Sequence, residues 1–198
     1  MYDLLVNTFN NLDYSKPSTY IVTAYFLAMV IVVGLNIRDA LRIWIVGILF
    51  TLSMVDLFVF QPYLPNSLIV HQICYSLSDL TAILLLKYRL RVGHKLSNFL
   101  CVHDTTSYIY RAFNDLGYAR QEYFIRLIFG FSIAANLTLV AEYVVRHSGI
   151  LAEKPMFIYN TYPSFKLGLI IALTFALLTM TLDGLVGRRL KVDPFNNG

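Results

Sequence analysis

Charged residues are scarce in this chain. Asp, Glu, Lys and Arg make up 14% of its 198 residues, whereas a soluble globular domain carries about 25%. The few charges lie mostly in short segments between long stretches that have almost none. Apolar residues make up 57% of the chain, and the mean hydropathy is +0.60. This composition excludes an ordinary soluble domain and predicts an integral membrane protein, whose apolar surface faces lipid.

Cysteine is also scarce, and its positions exclude two kinds of site. The two cysteines are Cys74, inside a predicted membrane span, and Cys101, in a predicted cytoplasmic loop. Residues placed in this way do not form a disulfide, and two cysteines at this spacing do not make a zinc site. The sequence shows no spaced His, Asp and Glu pattern of a catalytic metal site either. We therefore expect neither a metal nor another cofactor.

The N-terminus lacks the marks of a cleavable signal peptide. Residues Met1 to Asp3 contain no basic residue, and no small-residue cleavage site follows the first apolar run. We therefore expect the first span to be retained as an uncleaved anchor.

What the chain does contain is a series of five long apolar segments. Each has about 18 to 23 residues, enough to cross a hydrocarbon core of about 30 Å as a helix. The segments cover residues 19–36, 43–60, 67–86, 123–145 and 165–186. They predict an all-α, polytopic transmembrane bundle with about five spans, forming a single membrane domain over residues 1–198.

Two further segments have the spacing of short amphipathic helices. Leucines and a phenylalanine recur at near-helical spacing within residues 1–18, and a second apolar stripe covers residues 106–116 of the loop 87–122. We interpret both as helices on the membrane surface. For the second, packing against the ends of the bundle is an equally good alternative.

Basic residues predict the orientation of the bundle. Under five spans, twelve of the sixteen basic residues fall on one side: Arg38, Arg42, Lys87, Arg89, Arg91, Lys95, Arg111, Arg120, Arg126, Arg188, Arg189 and Lys191. The other side holds Lys16, Arg146, Lys154 and Lys166. The positive-inside rule then predicts an external N-terminus and a cytoplasmic C-terminus, as in a bacterial inner membrane protein. The same rule accounts for the net charge of +4, so we do not expect nucleic-acid binding.

Polar residues inside the spans are the first candidates for function. Gln72, Ser76 and Asp79 lie on one helical face of span three, and Asn136 lies near the middle of span four. A charge at mid-bilayer costs about 2.5–3.5 kcal/mol on insertion scales, so Asp79 is expected to face protein or water and not lipid. The group is either an ion, proton or solute site, or a set of hydrogen bonds that joins helices.

Asp56 and His71 form a second candidate pair. They flank the turn between Pro62 and Pro65 at similar distances, so an antiparallel hairpin places them at similar depth. Such a pair is a titratable site in one interpretation and an ordinary packing contact in the other.

The last two spans contain stripes of small residues that allow helix backbones to approach closely. These residues are Gly130, Ala134 and Thr138 in span four, and Gly168, Ala172, Ala176 and Thr179 in span five. The same two spans carry charges near their ends. If the spans pack side by side, Arg126 is level with Asp183, and Glu142 is level with Lys166. Snorkelling of the basic side chains to the headgroups is the alternative.

Three classes of function remain open. A non-catalytic subunit or scaffold of a membrane complex, either a homo-oligomer or a hetero-complex, is favoured by the packing stripes and the absence of catalytic motifs. An ion, proton or small-solute channel or transporter using Asp79 is the alternative, although neither a repeat nor a Gly or Pro interruption in mid-span supports it. A lipid-modifying membrane enzyme that uses His94, His103 or Asp104 is the third.

The orientation gives a direct prediction. A reporter enzyme fused after Lys191 is expected to be active only when it is of the type that works in the cytoplasm, because the basic residues hold that end inside. Activity of an external reporter at this position would contradict the topology.

Overall fold

The computed structural model describes residues 17–37, 39–65, 67–89, 91–92, 95, 99, 120–148 and 157–185. This part of the chain is about 94% helical and contains no strand. The prediction of an all-α membrane bundle is therefore confirmed.

Five main helices make up the described structure. They are α1 (Pro17–Leu35), α2 (Ala40–Val55), α3 (Leu68–Lys87), α4 (Arg120–His147) and α5 (Phe157–Leu185). Helix α2 continues through a π-helical segment, Asp56–Phe60, and a final α-turn, Gln61–Tyr63. Four segments are long and apolar enough to cross a membrane: Leu41–Phe60, Leu68–Lys87, Arg120–His147 and Phe157–Asp183. Helix α1 adds a shorter apolar segment over Thr19–Leu35, and the chain is an integral membrane protein.

Some predicted boundaries differ from the observed ones. Helix α5 begins at Phe157 and not near residue 165, and Pro163 lies inside its second turn. Pro163 lies beyond the first turn, so its missing backbone N–H removes one internal hydrogen bond of α5. The predicted surface helices lie outside the described residues, except for Pro17 and Ser18, which open α1.

The helices pack in a ring that follows the chain order. Each helix contacts the next one along the chain, and α5 also packs against α1, which closes the ring. Consecutive helices run in opposite directions, so all ten helix ends lie at two faces. We call these the Pro17 end, where α1, α3 and α5 begin, and the Lys87 end, where they finish. Because the ring is closed, side chains from all five helices can meet on its axis.

The half of the bundle toward the Lys87 end has a tightly packed apolar centre. Its fully buried side chains are Leu41, Ile45, Leu86, Ile125, Leu177 and Met180. Close packing here leaves the bundle axis closed on this side.

Buried charges join the helices at the Lys87 end. The side chain of Asp39 accepts a hydrogen bond from the backbone N–H of Leu41 and caps α2. Arg42 pairs with Asp39 and donates from Nε to the backbone oxygen of Met180 at 3.0 Å, which ties α2 to α5. Arg89 and Glu122, whose side chains are each 1% exposed, form an ion pair at 3.7 Å between the ends of α3 and α4.

We expect Arg42→Met to destabilise the bundle strongly. The substitution removes the positive partner of Asp39 and the donor to Met180, and breaking a buried pair costs about 3–5 kcal/mol. Lys87→Met, at an exposed position of the same end, is the matched control and should have little effect. Unfolding midpoints of the two variants in detergent test this, and equal midpoints would contradict it.

Candidate functional site: a central polar cavity

A cavity of about 520 Å³ lies on the axis of the ring, between the apolar centre and the Pro17 end. All five helices contribute to its wall. The lining residues with polar groups are Tyr25 from α1, Ser53 and Asp56 from the α2 region, Tyr75, Ser78 and Asp79 from α3, Ser132 from α4, and Tyr162 and Lys166 from α5. Most of the remaining wall is apolar or aromatic. Cavities of this size and composition commonly bind small molecules.

Three polar side chains form a hydrogen-bonded chain across one side of the cavity. The ammonium of Lys166 donates to Oγ of Ser132 at 2.5 Å. The Ser132 hydroxyl donates to Oδ2 of Asp79, also at 2.5 Å. A hydroxyl can accept one bond while it donates another, so Ser132 links a half-buried cation to a half-buried anion. These two hydrogen bonds join α3, α4 and α5 at one point.

The depth of Lys166 follows from the length of α5. Because the helix begins at Phe157, Lys166 is nine residues inside it, or about 14 Å along the axis. At that depth the ammonium remains within the bundle, where it also lies 5.5 Å from the centre of the Tyr162 ring. Snorkelling to the headgroups does not describe its position.

A second polar junction lies beside the first. The Tyr162 hydroxyl is 2.7 Å from Oε1 of Gln72 and 2.7 Å from Oδ1 of Asn136. A hydroxyl carries only one proton, so one of these amides must present its NH₂ group to the phenol oxygen. Nδ2 of Asn136 is buried and has no hydrogen-bond partner among the described residues. Rotating this amide by 180° brings Nδ2 to the phenol oxygen, so we assign the reversed orientation to Asn136. This junction again joins α3, α4 and α5.

Asp56 occupies the first position of the π-helical segment and also lines the cavity. The Tyr75 hydroxyl of α3 lies close to its carboxylate and interacts with it. Its Oδ1 atom is buried and has no hydrogen-bond partner in the described part of the chain. π-Helical turns inside α-helices frequently occur at functional sites. The segment therefore places a carboxylate with an unfilled bonding capacity in the cavity wall.

The structure does not pair Asp56 directly with His71. The His71 ring instead packs against Tyr75, with 6.2 Å between ring centres, and Nδ1 of His71 contacts the backbone oxygen of Ser67. Tyr75 lies between the two predicted partners, so Asp56 and His71 interact only through it and through longer-range electrostatics.

Among the described residues, the charges that line the cavity do not balance. Its wall contains two carboxylates, Asp56 and Asp79, and one ammonium, Lys166. Lys166 is hydrogen-bonded through Ser132 to Asp79 and acts on Asp56 only through longer-range electrostatics. In the described part of the chain, Asp56 is therefore the carboxylate without a hydrogen-bonded cation. In a low-dielectric site an unbalanced charge either takes up a proton or attracts a cation. The cavity is therefore suited to a proton or a positively charged group.

The other predicted polar residues take different positions. Ser76 donates to the backbone oxygen of Gln72 within its own helix and does not line the cavity. Glu142 accepts hydrogen bonds from the backbone N–H groups of Ile158 and Tyr159, at 3.2 and 2.9 Å. It therefore caps the start of α5, while Lys166 contacts Ser132.

At the opposite ends of the same helices, Asp183 accepts a hydrogen bond from Gln121 at 2.6 Å. Arg126 lies with its guanidinium 5.9 Å from the centre of the Tyr123 ring. Helices α4 and α5 do pack together. The contacts at their ends are a helix cap and an amide–carboxylate bond, which the charge pattern did not predict.

The two stripes of small residues differ in their exposure. On α4, Gly130, Ala134 and Thr138 are exposed on the outside of the bundle, and its inner face carries Ser132 and Asn136. On α5, Gly168 is exposed, Ala172 is half-buried and Ala176 is buried. A Cβ atom added at Gly130 or Gly168 would meet nothing within 4 Å among the described residues. Within the chain, the α4 stripe therefore does not form the contact with α5.

Sequence reasoning missed Ser132, Tyr75 and Tyr162. One signal was present: Ser132 lies four residues before Asn136, so the two share one helical face. Tyr162 falls between the predicted spans 123–145 and 165–186, and Tyr75 resembles any aromatic residue of a membrane span. Their roles depend on which helices become neighbours.

The cavity shows no arrangement typical of a protein-bound metal. Within the described ranges, no group of three or more His, Cys, Asp or Glu side chains could hold a metal ion.

Comparison with other proteins does not add a function. No family model, no curated protein and no solved structure matches this chain.

The hydrogen bonds that link Lys166 through Ser132 to Asp79 predict that substitutions of Lys166 and Asp79 have coupled effects on stability. Lys166→Met and Asp79→Asn should each destabilise the protein, by less than the roughly 3–5 kcal/mol that a fully buried unpaired charge costs, because both side chains are half-buried. The double variant should cost less than the sum of the single costs, by at least about 1 kcal/mol. Unfolding free energies in detergent measure this cycle. Asp183→Asn combined with Lys166→Met is the control and should be additive, and additive costs in the first pair would contradict the coupling.

Proposed function

We propose that this protein is a membrane transporter that carries an ion, a proton or a small solute through its central cavity, using Asp79. The observation that carries the proposal is the cavity, in which the linked charges of Lys166 and Asp79 meet on the axis of a closed ring of five helices. Buried ionisable residues in membrane helices commonly mark ion and substrate pathways.

The half-closed shape of the bundle favours a carrier over an open channel. The cavity occupies the half toward the Pro17 end, and the apolar centre around Leu41, Leu86 and Leu177 fills the other half. A carrier binds its solute in such a cavity and then opens the opposite side. A channel would need a continuous polar path through both halves.

Two helical irregularities lie next to the cavity and support movement there. The π-helical segment Asp56–Phe60 interrupts α2, and Pro163 removes one backbone hydrogen bond from α5. Irregular backbone inside a membrane is tolerated where it lines a cavity, and transporters commonly use interrupted helices at the substrate site. Both irregularities are in the half of the bundle that contains the cavity.

We further propose that the Pro17 end is external and the Lys87 end cytoplasmic, in the inner membrane of a bacterium. The distribution of basic residues supports this orientation. The cavity would then lie in the external half, with the buried charge contacts of Arg42 and Arg89 on the cytoplasmic side.

A second candidate, a subunit of a larger assembly, is favoured by the outer face of α4. Gly130, Ala134 and Thr138 are exposed there, and small residues on a lipid-facing surface allow another helix to approach closely. This role is compatible with transport, because many carriers are homo-oligomers. A cross-link between two copies of an Ala134→Cys variant in membranes would support it.

Accessibility of the cavity from both sides tests the transport proposal. In a background with Cys74→Ser and Cys101→Ser, we expect Ser78→Cys to react with a membrane-impermeant thiol reagent in right-side-out and in inverted vesicles. A carrier exposes its central site to each side in turn, whereas a scaffold has no reason to do so.

Tyr63→Cys is the matched control, because Tyr63 is 81% exposed at the Pro17 end and should react from that side alone. Reaction of Ser78→Cys from neither side or from only one side, with Tyr63→Cys behaving as expected, would contradict alternating access.

A further inference from the structure

We infer that the cavity binds an organic ammonium ion with an apolar body, and that the Asp56 carboxylate is the group that receives the ammonium. This inference rests on the proposed function, since it names the class of solute that the transporter would carry. It depends on how the cavity distributes its charges, its aromatic rings and its volume.

The charge distribution selects a cation. Lys166, the only ammonium among the residues lining the cavity, already donates to Ser132, which bonds Asp79. An anionic ligand would have to displace that contact and approach two carboxylates. A cation can instead bind at Asp56, whose Oδ1 has no hydrogen-bond partner in the described part of the chain and which Lys166 reaches only through longer-range electrostatics.

The chemistry of the wall selects an organic cation over a metal ion. Hard metal ions need about six or more oxygen ligands, and the wall near Asp56 is built mainly from apolar and aromatic side chains. The aromatic residues are Tyr25, Phe26, Tyr75, Phe129 and Tyr162. Aromatic faces attract ammonium groups and also pack against an apolar body.

The volume fits a molecule larger than a simple ion. The cavity of about 520 Å³ lies within the range of roughly 300–1,000 Å³ that is usual for small-molecule sites. An amine with an aromatic or aliphatic tail would place its charge at Asp56 and its tail along Phe26, Phe129 and Leu173, which line the same cavity.

Protection of an engineered cysteine tests this inference without a known substrate. The probes are phenylbutylamine, phenylbutanol and phenylbutyrate, which share one tail and differ in charge. Each is added to the purified Ser78→Cys protein, and the rate of reaction with a neutral maleimide is measured. The amine should protect Ser78→Cys at a concentration about tenfold or more below that of the alcohol, a factor that a charge-assisted hydrogen bond supplies.

Two variants attribute the selectivity to Asp56. Asp56→Asn should remove the difference between amine and alcohol, and Asp56→Glu, which keeps the charge, should retain most of it. Asp183→Asn removes a carboxylate that lies outside the cavity wall and should leave the preference unchanged. A single symmetric peak in size-exclusion chromatography identifies the variants that have folded.

The other outcomes overturn the ligand class. Equal protection by all three probes would show an apolar site without charge selection, better protection by phenylbutyrate would assign the site to anions through Lys166, and no protection at all would exclude this class of ligand. None of these results affects the two-sided accessibility of Ser78→Cys, which is measured without a ligand. Failure of the ligand assignment and failure of the transport proposal are therefore distinguishable.

Discussion

The hydrogen bonds of Ser132 hold together the part of the bundle on which the proposed function depends. An isolated ammonium or carboxylate is costly to bury in a membrane protein, and direct pairing is one way to offset that cost. Here a serine hydroxyl accepts from Lys166 and donates to Asp79, so three helices are joined through one neutral side chain.

The two halves of the bundle differ in the polarity of the side chains on its axis. Toward the Lys87 end, apolar side chains fill the axis, and the charges of Arg42 and Arg89 are paired around it. Toward the Pro17 end, polar groups meet in a cavity and the helices are irregular at the π-helical segment and at Pro163. The first arrangement favours rigidity and the second favours binding and movement.

The residues of the site differ in how far the sequence predicts them. Asp79 and Asn136 are recognisable because a polar residue in the middle of an apolar span is unusual. Lys166 is harder, because a lysine after a proline resembles the end of a span, and only the early start of α5 shows that it lies deep inside the bundle. Tyr75 and Tyr162 give no signal of their own, since tyrosine is common near membrane surfaces.

The sequence by itself determined that the chain is a helical membrane protein, because long uncharged segments have no other stable arrangement in lipid. It also determined which polar residues are costly to expose there. Only the tertiary structure decided which of them meet. Closing the ring brings α5 against α1 and α4. That arrangement brings Lys166 to Ser132 and, among the described residues, leaves Asp56 without a hydrogen-bonded cation. These contacts depend on the rotation and depth of each helix, which hydrophobicity along one segment does not specify.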